Sequence, residues 1–359
     1  MLGLCFMTLK IRSASKGRMT SMTTSPPPAG APTGTRSLVA SELLPALELL
    51  PRLELSDESL ALIRAGLASP AARALRPPVL SPEQAAVGCE QRLVPGPPGA
   101  PQVRVLVYTP PRSAKSLRPA FLHIHGGGYI LGMPEIGEAA NRSLCAELGC
   151  VVVSVAYRLA PETRYPGALE DCYCALAWLH ANAGQLAIDR DRIAIGGESA
   201  GGGHAAALAI LARDRGEFRV CLQLLDSPML DDRTGSTAEP HPYCGEFVWT
   251  PASNRFGWRA LLGVEPGGPD VPAGAVPARV ADLSGLPPAF LFVGALDLFM
   301  EEDLEYARRL ARAGVPTELH VIPGAFHGFA VAGGSAPQVQ ACTRLRRDAL
   351  ARAFRAPVG

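Results

Sequence analysis

From about residue 90 onward the apolar positions fall into short runs: Val103 to Tyr108, Ala120 to His125, Val151 to Ala156, Arg192 to Gly196, Val220 to Leu225, Ala289 to Val293 and Thr317 to Ile322. Most lack the strict alternation of a half-solvated strand, which predicts strands covered on both faces. Between them lie helix-length segments at Pro134 to Leu148, Gly167 to Ala183, Ser199 to Arg213 and Met300 to Ala313. Gly314 follows the last of these, where a glycine readily takes the left-handed conformation that ends a helix. Strands alternating with helices predict an α/β fold with a mostly parallel central sheet flanked by helices. Upstream, Leu43, Leu44, Leu47 and Leu50 recur at helical spacing, and Ser56 ahead of Asp57 and Glu58 marks a second helix start.

The rhythm breaks from about residue 229 to 280, where turn-rich sequence surrounds an aromatic helix-like piece with Trp249, Phe256 and Trp258. This interval reads as an insertion. With residues 37–80 it is expected to form a helical cap over the carboxyl ends of the strands, where parallel sheets hold their ligands. The organisation expected is then a flexible Ser/Thr/Pro/Gly-rich leader over 1–36, cap helices over 37–80, and a catalytic domain over 81–359 that carries the insertion. The basic segment Pro337 to Phe354 is expected to be a solvated outer helix.

The chain has 359 residues with a formal net charge of +1, which gives no field for nucleic acid or an anionic membrane surface. No apolar run approaches the roughly 18 residues of a membrane span. Nine cysteines, an odd number and scattered, fit reduced thiols in a cytoplasmic protein better than a disulfide framework.

The most informative segment is Ile195-Gly196-Gly197-Glu198-Ser199-Ala200-Gly201, directly after a predicted strand and opening an Ala-rich helix. Glycines two residues either side of a serine in that context form a sharp turn that lifts a nucleophilic hydroxyl above a sheet. A second segment, Phe121 to Tyr129, runs a strand into Gly126-Gly127-Gly128. Consecutive glycines allow bare N–H groups to approach a ligand, as the oxyanion of an acyl-transfer intermediate requires. His123 and His125, two apart, raise the alternative of a zinc hydrolase, but no second cluster of ligands accompanies them.

His125-Gly126-Gly127-Gly128 followed by Gly197-Glu198-Ser199-Ala200-Gly201 resembles the hormone-sensitive-lipase-like family of α/β-hydrolase carboxylesterases. Tyr157-Arg158-Leu159-Ala160-Pro161-Glu162, Tyr165 to Asp171 and Asp231-Asp232-Arg233 extend the similarity, which spans about residues 40–330. The resemblance implies an α/β-hydrolase fold with a helical cap and a triad in the order Ser199, Asp297, His327. It also implies an oxyanion hole from the backbone N–H groups of Gly127, Gly128 and Ala200. In this family the acid usually lies in Asp-Pro-Leu-Arg-Asp, whereas this chain has Asp297-Leu298-Phe299-Met300-Glu301. Glu301, Glu302 and Asp303 are read as first-turn acids that complement a helix dipole. Glu198 is expected to support the nucleophile, and Asp231 and Asp232 to pair with basic groups such as Arg233. The activity implied is hydrolysis of small-molecule esters with short to medium acyl chains, without metal or organic cofactor, in a chain that could form a homodimer. An amidase or lactonase with the same triad, and a non-catalytic receptor on the same scaffold, are the alternatives.

Overall fold

A computed structural model describes residues 34–50, 54–68, 80–111, 116–239 and 241–355. The expected leader therefore lies outside the described residues except at its end, where Thr35–Leu38 forms a turn of 3-10 helix. Eight strands, β1 (Gly88–Val94), β2 (Val103–Thr109), β3 (Arg118–Ile124), β4 (Val151–Ala156), β5 (Ile188–Glu198), β6 (Leu222–Asp226), β7 (Ala289–Gly294) and β8 (Thr317–Ile322), form one sheet in the order 1-2-4-3-5-6-7-8. β2 is antiparallel to both its neighbours, and from β4 to β8 all pairs are parallel.

The described helices are α1 (Leu44–Leu49), α2 (Asp57–Ala68), α3 (Pro82–Ala85), α4 (Glu138–Leu148), α5 (Gly167–Ala181), α6 (Ala200–Arg215), α7 (Pro251–Leu262), α8 (Met300–Arg312), α9 (Phe329–Ala332) and α10 (Pro337–Ala353). Alternate residues of one strand serve opposite faces. Thus Val105, Leu122, Val153 and Ile195 meet Leu176 of α5, Leu208 of α6 and Leu310 of α8, while Leu106, Phe121, Val152 and Ala194 meet Cys145 of α4 and Leu350 of α10.

β1 did not stand out as an apolar run, because Glu90, Gln91 and Arg92 occupy an edge strand that is mostly solvated. Ser56 caps α2 as its position suggests, its hydroxyl accepting the Ser59 N–H at 3.1 Å. A third apolar cluster lies beyond the sheet and joins Leu60 of α2, Tyr129 to Leu131 after β3, Trp249, Phe256 and Trp258 around α7, and Leu298 and Phe299. Arg64 of α2 ties this layer down by donating to the carbonyls of Ile130 and Ala160. Among the described residues no helix is long and apolar enough to cross a membrane, and the eight cysteines there are all free.

Candidate active site

Ser199 sits between β5 and α6 with φ +56° and ψ −121°, a conformation that non-glycine residues enter only at an energetic cost. The surroundings fix it there. Its N–H donates to Asp226 O at 2.8 Å, and its carbonyl accepts from Met229 N–H at 3.0 Å. A Cβ added to Gly197 or to Gly201 would stand 2.1 Å from Ile124 O. The turn packs directly on the exit of β3, so both flanking positions must lack a side chain.

His327 leaves the loop after β8 with its Nε2 2.9 Å from Ser199 Oγ and its Nδ1 2.8 Å from Asp297 Oδ2. Asp297 follows β7 and is fully buried; its Oδ1 accepts the Phe299 N–H at 3.0 Å. The Phe299 ring meets the imidazole edge-on at 5.0 Å between centroids and forms an aromatic wall beside the histidine. The glycine segment closes the other side. Gly127 and Gly128 have φ +129° and +60°, and a Cβ on Gly126 would lie 3.4 Å from Ser199 Cβ. Ala200, fully buried, opens α6. The six positions singled out in the sequence thus come together at the carboxyl end of the sheet.

Beneath the serine lies a buried charged network that the sequence did not disclose. Glu198 accepts from Arg346 of α10 at 2.9 Å and contacts His123 Nε2 at 3.0 Å, and Arg346 also pairs with Asp226. His123 is held on its other side by Ser154 at 2.7 Å and Asn141 at 3.1 Å. Burial pushes Asp226 up to about 7. For Glu198 the same burial is outweighed by His123 and Arg346, which bring it down to about 2. Arg346 therefore binds the residue before Ser199 and the residue whose carbonyl receives the Ser199 N–H. The outer helix is not simply solvated, because one of its arginines reaches inside.

Asp231 pairs with Arg233, and Asp232, fully buried, pairs with Arg279. Glu302 and Asp303 stand in the first turn of α8 but face inward. Glu302 accepts the Leu230 and Asp231 N–H groups at 2.6 and 3.2 Å, and Asp303 is fully buried, its carboxylate oxygens without a hydrogen-bond partner among the described residues. Burial, then the neighbouring Glu302 and Asp297, raises the Asp303 carboxyl well above its usual range.

His125 stacks on Tyr157 at 4.2 Å, and Tyr157 in turn meets His204 of α6 edge-on at 4.9 Å. The Tyr157 hydroxyl donates to His125 O at 2.9 Å. Burial lowers His125 to about 4 and His204 to about 3. In the unfolded chain each takes up a proton near pH ~6.5, so the stability that neutral burial confers is present above that pH and is lost as the pH falls toward the folded values. Replacing His204 by leucine is expected to make the loss of unfolding free energy between pH 6 and 4 shallower by up to one proton, about 1.4 kcal/mol per pH unit. Urea denaturation across that range measures it, and an unchanged slope would remove His204 from the account.

Comparison with known proteins bears on the fold that carries this site. The family described as alpha/beta hydrolase fold matches residues 121–331. Carboxylesterase NlhH of Mycobacterium tuberculosis is 37% identical over 259 residues, 70% of this chain and 78% of that one. Esterase LipI of the same organism is 34% identical over 251 residues, 69% of this chain and 77% of that one. Among solved structures, a bacterial heroin esterase superposes with a TM-score of 0.81 at 37% identity, covering 90% of this chain and all of the other.

Proposed function

The chain belongs to the alpha/beta hydrolase fold family, among the hormone-sensitive-lipase-like carboxylic ester hydrolases, and from that premise we propose that it cleaves short- to medium-chain acyl esters through an acyl-enzyme on Ser199. Ser199 Oγ attacks the ester carbonyl while His327 Nε2 takes its proton; the imidazolium then returns that proton to the leaving alcohol. Water, activated by the same nitrogen, releases the acid. Asp297 holds the Nδ1–H tautomer and stabilises the imidazolium. The backbone N–H groups of Gly127, Gly128 and Ala200 receive the oxyanion, each donor of this kind contributing about 3 kcal/mol.

The observation that carries this reading is the unbroken hydrogen-bonded run from Asp297 Oδ2 through both nitrogens of His327 to Ser199 Oγ, with steps of 2.8 and 2.9 Å. The surrounding wall is apolar, with Phe299 against the imidazole and Trp249 6.4 Å from it, which suits a neutral ester. The segments around α2 and α7 act as a cap over this end of the sheet. The test is hydrolysis of p-nitrophenyl esters from acetyl to palmitoyl, with and without pretreatment by an organophosphate. Activity should peak at short to medium chains and vanish after pretreatment. A maximum at palmitoyl would refute the acyl preference, and insensitivity to the organophosphate would refute the serine mechanism.

A further inference from the structure

Val248 has a backbone φ of +63°, which a β-branched residue enters only against steric repulsion. The Trp249 N–H reaches back to Phe247 O over 2.7 Å, so the three residues form a γ-turn of the rare, strained hand. Strained backbone persists where its surroundings over-determine it, and it gathers at functional sites. Here the restraint is visible. Trp249 Nε1–H donates to Asn254 Oδ1 at 3.1 Å, and the Asn254 amide donates to Thr234 O at 2.8 Å. Asn254 belongs to the first turn of α7 and is fully buried.

The ring held in this way presses on the glycine loop beside the serine. A Cβ on Gly128 would lie 2.1 Å from Trp249 Cη2, and one on Gly257 of α7 would lie 2.7 Å from Gly128 O and 3.4 Å from Trp249 Cζ2. The indole tip therefore fills the corner between Gly128 and α7, and only 5% of Trp249 is exposed. A run of three glycines has unusual backbone freedom. An oxyanion hole needs the opposite, because its N–H groups act only if they are aimed before the charge develops.

We propose that Trp249 is a positioning residue for the oxyanion loop: the strained turn at Val248 and the bond to Asn254 set its indole against Gly128, and this contact keeps the loop's N–H groups on target. The inference rests on the reading of Gly127 and Gly128 as oxyanion donors. It assigns to the segment around α7 a part in catalysis distinct from covering the site.

The test compares the full chain with Trp249→Phe, Trp249→Ala, Val248→Gly and Ser199→Ala, each assayed well below its melting temperature. The quantities read are kcat and KM for p-nitrophenyl acetate and the affinity of an alkyl trifluoromethyl ketone, whose serine adduct is tetrahedral. Trp249→Ala is expected to lower kcat by about 10²-fold and Trp249→Phe by about tenfold, at or below the loss of one whole donor. KM should change little, and the ketone's affinity should fall in step with kcat/KM. Val248→Gly relieves the strained φ and slackens the turn, so it should lower kcat in protein that still folds, which keeps the idea testable if Trp249→Ala does not. A loss confined to KM would make Trp249 a wall of the substrate pocket and overturn the proposal. So would unchanged kcat in Trp249→Phe and Val248→Gly while Ser199→Ala is inactive. Hydrolysis surviving in Ser199→Ala would overturn the parent reading, and this one with it.

Discussion

Replacing Ser199 by alanine is expected to lower kcat for p-nitrophenyl esters by about 10⁵-fold or more, the scale on which a serine nucleophile acting as one unit with its base is lost. The fold should survive. The hydroxyl contributes one hydrogen bond, to His327, while the bonds that hold the turn run through the backbone of Ser199 to Asp226 and Met229, and alanine keeps both. Alanine at φ +56° is no less tolerable than serine, so the melting temperature should stay close to that of the parent chain. The variant should also no longer take up an organophosphate, visible as a missing mass increment. Activity within tenfold of the parent, in folded protein, would remove Ser199 from the mechanism.

The second large effect is expected from Asp297→Asn. The amide can still accept the Phe299 N–H through its oxygen, as Oδ1 does now, so the loop after β7 keeps its anchor. Its NH₂ then faces His327 Nδ1, where the carboxylate oxygen stands at 2.8 Å. Two donors cannot share that contact, so the imidazole is driven to the tautomer protonated on Nε2, which cannot take the serine proton. A tautomer error of this kind costs up to about 10⁴ in kcat. Asp303→Asn is the informative control. Burial favours the neutral form of the Asp303 carboxyl, which an asparagine closely copies, and its side chain has no hydrogen-bond partner to lose among the described residues, so kcat should change little. A severe loss in Asp303→Asn with Asp297→Asn unaffected would move the acid to the helix.

Much of this arrangement was legible in the sequence because it shows as short local patterns. Gly197 and Gly201 stand at a fixed five-residue spacing within one strand-to-helix turn, although the backbone that excludes a Cβ there, Ile124 O above all, comes from β3. The apolar runs that became β3, β4 and β7 are buried on both faces and need no alternation to be noticed. What escaped depended on partners far along the chain. Arg346 stands in an unremarkable basic helix until folding brings it to Glu198, 148 residues away. Asp232 has an arginine next to it in the sequence, yet it takes Arg279 because that guanidinium reaches the buried side of the loop. Glu302 and Asp303 look like ordinary first-turn acids, since nothing local reveals that α8 turns them toward the protein. β1 was missed for the opposite reason, being a strand whose register on β2 is set by backbone pairing along a sheet edge and not by burial of its own side chains.

The strand order has a bearing on how catalytic competence is acquired. Ser199, Asp297 and His327 stand after β5, β7 and β8, which lie in the last half of the sheet with β6 between the first two. Parallel neighbours cannot be joined by a hairpin; each needs a crossover to dock before the next can pair. A refolding chain that had assembled only β1 to β6 would already hold much of its regular structure and the serine turn, yet its base and acid would have no fixed place. On the proposed mechanism, ester turnover needs the turns after β5, β7 and β8 together, so it records when the final crossovers have closed.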